Sequence, residues 1–272
     1  EGIMVVKSPK MSWYFNDMVQ QAAGDVPVAF YEDEFDLFDA LIDLVLIFDP
    51  DILSGFEVHN SSWGYILERS RKIHNFEIAE EISRTNSTAK NKTKDSWGYS
   101  HASGIVVAGR HIINVWRALR SDLNLSQYTI ENISFKLLRE RLPHFSFQEL
   151  SKMWMDHKNI SKMKTVISYW LTRCRLNIAL LQKQEYIPRI TEQARLTGID
   201  FYSVYYRGSQ YKIESILSRI CKSESFILLA PSRKQVQMQK ALECVPLVME
   251  PESGFYKSPL VVLDFQSLYP SV

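Results

Sequence analysis

The stretch Leu260-Val-Val-Leu-Asp-Phe-Gln-Ser-Leu-Tyr-Pro-Ser-Val272 says the most about the fold of this 272-residue chain. Residues 260–263 form a continuous apolar run of β-favouring side chains, which predicts a strand buried on both faces. Asp264 then places a carboxylate at the strand end, where it could hold a hard cation. Gln266 and Ser267 can turn the chain and expose backbone N–H groups to phosphate oxygens.

The string D-F-Q-S-L-Y-P-S at 264–271 resembles motif A of the family B DNA polymerases, D-x-x-S-L-Y-P-S. Gln266 is similar to the form in the translesion branch of that family. Other blocks that resemble the family follow in its order, at 48–55, 109–117, 207–215 and 244–253. The resemblance implies part of a nuclear DNA-directed DNA polymerase that acts on primer–template DNA and deoxynucleoside triphosphates together with accessory subunits.

The resemblance also implies roles for single residues. Asp264 would be the catalytic carboxylate that binds two magnesium ions, and the Phe265 carbonyl would complete one coordination shell. Ser267, Leu268 and Tyr269 would line the incoming triphosphate, with the Tyr269 ring beneath the deoxyribose. Magnesium needs a partner acid, which the family supplies from motif C, outside this chain. The resemblance also allows an iron–sulfur cluster in the family's C-terminal region, outside this chain.

The family implies a ribonuclease-H-like proofreading exonuclease before the polymerase palm. Its two metals need carboxylates from three motifs. Residues 49–60 resemble the approach to the second motif, but Ser62 stands where the family has Asp. The third motif, Tyr-x-x-x-Asp, aligns with 169–173, and Arg173 puts a permanent cation in place of the acid. The first motif would lie upstream of Glu1. We therefore expect an inactive, N-terminally incomplete exonuclease-like domain.

Other interpretations of these acidic residues stay open. A different site could be formed by Asp49, Asp51, Glu57 and His59, but the two aspartates are more typical of a helix end and a strand start.

The whole chain could also act as a non-catalytic module that binds nucleic acid or supports a polymerase. Because motif A occurs here without motif C, we expect the isolated chain not to extend primers, and because Ser62 and Arg173 stand where two acids are needed, we expect it not to degrade them.

A second candidate for nucleic-acid contact lies at 207–212. Arg207 and Lys212 flank Gly208, which would let a phosphate approach the backbone. An exposed turn is the alternative for this segment.

Composition limits the class of protein. Hydrophobic residues make up 46% and charged residues 23%, and the formal net charge is +1, which excludes a strongly basic nucleic-acid-coating protein but not a local basic groove. The three cysteines lack C-x-x-C spacing, so neither a disulfide framework nor a zinc site is expected. No apolar run is long enough for a bilayer. The chain lacks an initiator Met and stops within motif A, so we expect a piece of a longer protein.

Alternating strands and helices predict an α/β architecture with a mixed sheet flanked by helices. We expect an exonuclease-like domain at 1–196, followed at 197–272 by a linker and the start of the palm. The predicted strands are 28–31, 52–55, 105–109 and 260–265, with a β-like run in 198–207. The predicted helices are 32–47, 63–70, 112–119, 131–142, 160–183 and 211–221, and a loop is predicted at 83–95.

Overall fold

The computed structural model describes residues 1–7, 14–59, 61–85, 105–156, 159–240, 250, 252–263 and 265–268. The chain divides into two compact units, Glu1–Ile227 and Leu228–Val272. Most of the predicted loop at 83–95 lies outside the described residues, as do Asp264 and Tyr269.

Four short strands lie in the first unit. Strand β1 (Ile3–Val6) pairs in parallel with β2 (Val28–Tyr31), and β3 (Ile52–Gly55) pairs in parallel with β4 (His111–Asn114). Within the described part of the chain, these pairs form two separate two-stranded ladders. The α/β class is confirmed, but one mixed sheet is not what the described residues form, because each of their strands has one parallel neighbour there and no antiparallel one.

Helices surround these ladders. The described helices of the first unit are α1 (Phe15–Ala23), α2 (Glu34–Phe48), α3 (Ser62–His74), α4 (Ile78–Glu81), α5 (Val115–Asp122), α6 (Ile130–Leu138), α7 (Phe147–Met155), α8 (Ile160–Lys183), α9 (Tyr186–Thr197), α10 (Phe201–Tyr206) and α11 (Ser209–Ser223). None of the described helices is both long and apolar enough to cross a membrane. Helix α8 packs against α1, α6, α7 and α9, so it is the central helix of this unit.

Strand β4 separates two parts of the hydrophobic core. Successive side chains of a strand point to opposite faces. Ile112 accordingly packs with Phe38 and Leu53 on one side, whereas Ile113 packs with Leu119 and other residues of α5, α6 and α8 on the other. Both isoleucines are almost fully buried. The strand therefore positions α5, which follows it directly, on the helical side of the unit.

The helix predicted at 112–119 begins later than expected. Residues 111–114 are extended because each pairs with a residue of β3, from Ile52 with His111 to Gly55 with Asn114. Asn114 then caps α5, its side chain accepting a hydrogen bond from the Arg117 N–H at 3.3 Å. The predicted strand at 105–109 shows only one isolated bridge, between Val107 and Arg110.

The β-like interpretation of 198–207 is also wrong, since Phe201–Tyr206 is helical. The Asp200 carboxylate accepts a hydrogen bond from the Ser203 N–H at 2.8 Å and so begins the helix. Its buried Val204 and the neighbouring Tyr205 pack against the cluster around Leu180 and Ile190. Helix packing thus overrides the β preference of the aromatic residues.

The described residues of the second unit form α12 (Arg233–Met238) and irregular stretches that include 252–263. The buried strand predicted at 260–265 is not formed at the described residues, 260–263 and 265. Val261 and Val262 are 81% and 91% exposed, and none of residues 260–263 is in a strand. A strand needs a neighbour for its N–H and C=O groups, and the described residues of this unit contain no strand that could supply one.

In the chain, the boundary between the two compact units follows Ile227 rather than lying near Leu196. Helices α10 and α11 both pack on α9, which keeps residues 197–227 with the first unit. Compactness does not decide which residues belong to the exonuclease-like domain and which to the palm, so the boundary near Leu196 stays a prediction.

Candidate functional site

The degenerate second exonuclease position lies where β3 leads into α3. Ser62 is the first residue of α3 and has a left-handed φ of 54°, directly after the helix cap at Ser61. Its hydroxyl packs so close to the strand end that a Cβ on Gly55 would come within 2.4 Å of the Ser62 Oγ. A neutral hydroxyl at this strand end offers no charge to offset a divalent cation.

The neighbouring end of β4 adds Asn114, which the sequence reasoning did not assign to this position. The Asn114 side chain is fully buried and donates a hydrogen bond to Glu57 Oε1 at 2.8 Å. Glu57, with a left-handed φ of 58°, is therefore held at the carboxyl ends of the two parallel strands. Because the carboxyl ends of parallel strands meet at one edge of a sheet, pairing β3 with β4 would have predicted that Glu57 and Asn114 lie close together. The sequence reasoning missed this contact because it interpreted residues 112–119 as a helix.

The alternative site at Asp49, Asp51, Glu57 and His59 is not assembled. Arg84 binds both aspartates, at 2.8 Å and 2.7 Å, and the buried Arg110 binds Asp49 at 2.8 Å. Hydrogen bonds from Arg84 and then Arg110 hold the pKa of Asp49 below its usual range. Asp49 also ends α2 with a φ of 42°, which confirms its interpretation as a helix end.

Arg173, at the third exonuclease position, interacts with Glu131 and Tyr169. Its Nη1 donates to Glu131 Oε1 on α6 at 2.8 Å, and its guanidinium lies 5.0 Å from the Tyr169 ring centroid. His144 Nδ1 lies 3.2 Å from the same Glu131 oxygen. Burial acts to raise the pKa of Glu131, but hydrogen bonds from its backbone N–H, Arg173 and His144 outweigh burial and lower it.

Ser62 and Arg173 are not brought into contact. Among the described residues, no hydrogen bond, ion pair or ring contact joins them. Nor does the described part of the chain bring three His, Cys, Asp or Glu side chains together in a metal-binding group. The donors at the two positions, a hydroxyl and a guanidinium, do not fit a pair of divalent metals, so no nuclease step can be derived through them.

The motif A segment is described at 265–268. Residues 266–267 form a turn, as predicted, and Ser267 has a left-handed φ of 52°. Phe265 and Leu268 are 78% and 47% exposed. The segment thus presents its backbone and side chains openly, while Asp264 and Tyr269 lie outside the described residues.

The predicted DNA-contact residues lie at the junction of α10 and α11. Gly208 is the N-cap of α11, without a side-chain capping hydrogen bond. The Arg207 guanidinium lies 5.3 Å from the ring centroids of both Tyr206 and Tyr211. Lys212 is half-buried one turn into the helix. Arg207 and Lys212 both line a cleft in the first unit, so the structure brings these two cations together.

Comparison with known proteins places this arrangement in a family. Residues 12–133 match the exonuclease domain of DNA polymerase family B, and residues 199–272 match DNA polymerase family B. The chain belongs to the family B DNA polymerases.

Within that family, the chain is similar over all of its 272 residues to the DNA polymerase zeta catalytic subunit of Saccharomyces cerevisiae, at 62% identity. The human DNA polymerase zeta catalytic subunit is 38% identical over 94% of this chain. The DNA polymerase delta catalytic subunit of Plasmodium falciparum is 28% identical over 90% of it. The chain spans 18%, 8% and 22% of the lengths of these three relatives.

Proposed function

We propose that this chain is part of a DNA-directed DNA polymerase of the zeta type, which performs translesion synthesis in the nucleus. The observation that carries the proposal is the 62% identity to a zeta catalytic subunit in an alignment that covers all 272 residues of the chain. Motif A, with Gln266, supports it independently. The proposed partners of the whole protein are primer–template DNA, deoxynucleoside triphosphates and accessory subunits. The family's iron–sulfur cluster concerns residues outside this chain.

The proposed chemistry is nucleotidyl transfer at motif A. Asp264 and the Phe265 carbonyl would hold magnesium, a hard cation that prefers oxygen ligands. Two such ions stabilise the attacking and leaving oxygens of a displacement. A single carboxylate is too few for both ions, so a second acid must come from elsewhere in the full-length protein. The incoming nucleotide would contact Ser267, Leu268 and Tyr269. The turn at 266–267 is exposed, so a nucleotide can reach it.

The test of this proposal is primer extension by the full-length protein. Asp264→Asn keeps the side-chain size but removes the charge, so extension should fall by at least about a thousandfold. Asp39→Asn, on the exposed side of α2, is the matched control and should extend like the wild type. Equal extension by Asp264→Asn and wild type would refute the role of Asp264.

The exonuclease-like part is proposed to be inactive, and this supports a second candidate role for it. Ser62 and Arg173 stand where the family uses acids, and Arg173 is already engaged by Glu131. Such a domain, ribonuclease-H-like by resemblance, could serve as a non-catalytic module that holds DNA, with Arg207, Gly208 and Lys212 as contacts. The isolated chain is accordingly proposed to neither extend nor degrade primers.

The domain division is also a proposal. An exonuclease-like domain at 1–196 and a linker with the start of the palm at 197–272 agree with the family match that begins at residue 199.

A further inference from the structure

A large cleft in the first unit lies between α5, α9 and the junction of α10 with α11. Its volume is about 810 Å³. Tyr186 and Val204, both 4% exposed, form part of its inner wall. The Tyr205 hydroxyl accepts a hydrogen bond from the Asn114 N–H at 3.2 Å, which ties α10 to the end of β4. The cleft is therefore built from packed helices rather than from a loose surface loop. We call it the basic cleft.

The charged residues that line the basic cleft are mostly positive. They are Arg117, Arg120, Asp122, Arg189, Arg207 and Lys212. The single carboxylate, Asp122, forms an ion pair with Arg189, so its charge is already balanced. The cations come from α5, α9 and the start of α11, and they therefore surround the cleft. In a chain whose net charge is only +1, this is a local concentration of positive charge.

Two of these arginines are held by aromatic rings. Arg120 lies 5.0 Å from the Trp116 ring centroid and 6.0 Å from that of Tyr128. The Trp116 Nε1 donates to the Tyr128 carbonyl at 2.9 Å, which fixes the ring in turn. Arg207 has the equivalent support from Tyr206 and Tyr211. A ring contacts the face of a guanidinium and leaves its in-plane N–H donors available for an oxyanion.

No acidic residue in the described part of the chain forms an ion pair with Arg120, Arg207 or Lys212. Next to Arg207, the 15-residue helix α11 begins at Gly208 without a side-chain cap. The N–H groups of its first turn and the positive end of its dipole favour an anion at the same place. Three independent features, the cation surplus, the ring-held guanidiniums and this helix start, thus point to a ligand with several negative charges.

We propose that the basic cleft binds the phosphate backbone of single-stranded DNA, an inference that rests on the proposed polymerase function. A duplex is stiff over many base pairs and presents its phosphates on a convex surface. A single strand bends freely and can follow a concave, positively charged groove. The cleft extends the contact from Arg207, Gly208 and Lys212 to Trp116, Arg120 and Arg189 on two further helices.

The test measures binding of a fluorescent oligo-dT by the full-length protein over a range of salt concentrations. Arg120→Gln and Arg207→Gln should each weaken binding about three- to tenfold and lower the slope of log affinity against log salt by about 0.7. Arg71→Gln, an exposed arginine on α3, is the matched control and should change neither. Duplex binding should respond less to the cleft variants than single-strand binding does.

Cross-linking locates the strand directly. An oligonucleotide with 5-bromouracil, irradiated on the full-length protein, should attach to peptides from α5, α9 or α11. Unchanged oligo-dT affinity in both cleft variants, or cross-links found only outside these helices, would overturn the proposal. Primer extension by the same proteins separates the two failures. Normal extension with unaffected oligo-dT binding refutes the basic cleft alone, whereas absent extension by the wild type refutes the polymerase function.

Discussion

At the scale of the residue, the Glu131–Arg173 pair explains how the third exonuclease position is used here. Both side chains are mostly buried, at 17% and 25% exposed, and the pair joins α6 to α8. A carboxylate at position 173 would lie beside Glu131 and repel it. The arginine therefore stabilises the helical packing with a residue type that excludes a metal, and the change from acid to cation has a structural role of its own.

Replacing Arg173 by the family's acid should destabilise the protein. We expect Arg173→Asp to lower the free energy of local unfolding of α6 and α8 by about 1–3 kcal/mol, since a partly buried ion pair is replaced by repulsion. Arg175→Asp is the control, because Arg175 pairs with Glu1 at the exposed surface, where such a pair contributes little to stability. Hydrogen–deuterium exchange of the two helices would measure both. Equal exchange in the two variants would contradict this account.

The same pair should make stability depend on pH. The pKa of Glu131 is lowered in the folded protein. Its contribution to stability is therefore complete above the unfolded glutamate pKa of about 4.3 and disappears as the pH falls through the lower, folded value. Glu131→Gln should be less stable than the wild type at pH 7, and this difference should shrink toward pH 3. Glu140→Gln, at an exposed position, should show no such trend. Denaturant unfolding at several pH values would measure these differences.

At the scale of the element, the Asp200 cap begins α10, a helix that the sequence did not indicate. Asp200→Ala should lower the local stability of Phe201–Tyr206 by about 1 kcal/mol, because the Ser203 N–H loses its acceptor. Asp200→Asn should retain most of the stability, since Asn also caps helices. Faster amide exchange in α10 for the alanine variant alone is the expected result. Similar exchange in both variants would show that the cap is unimportant.

Long periodic elements could be predicted from the sequence, and short ones could not. Helix α8 has the predicted bounds, Ile160–Lys183, because its apolar periodicity extends over six turns. Its buried face was predicted less well. Val166, Ile167 and Leu181 are buried as expected, but Trp170 and Ile178 are 43% and 58% exposed. The register of a long helix against its neighbours depends on those neighbours, which one helix sequence does not describe.

The errors concern segments whose partners are distant in the chain. Strand β4 is extended because it pairs with β3, some sixty residues earlier, while its own sequence is equally suited to a helix. Residues 260–263 show the opposite error, since an apolar β-favouring run does not form a strand without a neighbour. For the candidate site, the sequence indicated Ser62, Arg173 and Arg207, but Glu131, Asn114 and Arg120 could be found only after folding had placed them nearby.

At the scale of the whole molecule, the chain is a segment of a family B DNA polymerase, with Ser62 and Arg173 at two positions where the family resemblance implies acids. The first unit carries both the degenerate positions and the basic cleft. The second unit carries motif A. We therefore propose that the full-length protein synthesises DNA and binds DNA, and that the exonuclease-like domain does not proofread.

Motif A leads to a prediction about sugar choice. If the Tyr269 ring lies beneath the deoxyribose, it should clash with a ribose 2′-OH, which is specificity by repulsion. Tyr269→Ala in the full-length protein should therefore raise the incorporation of ribonucleotides relative to deoxyribonucleotides, by roughly tenfold or more. Tyr256→Ala, a tyrosine outside the motif, is the control. Unchanged sugar discrimination in Tyr269→Ala would place the barrier at another residue.

One labelled primer tests most directly whether the full-length protein extends primers without proofreading them. The full-length protein is incubated with magnesium and a primer–template that ends in a 3′ mismatch, first without and then with deoxynucleoside triphosphates. The account predicts no shortened primer in the first step and longer products in the second. Shortened primer that disappears on Glu57→Gln, the carboxylate beside Asn114 at the strand ends, would contradict the account.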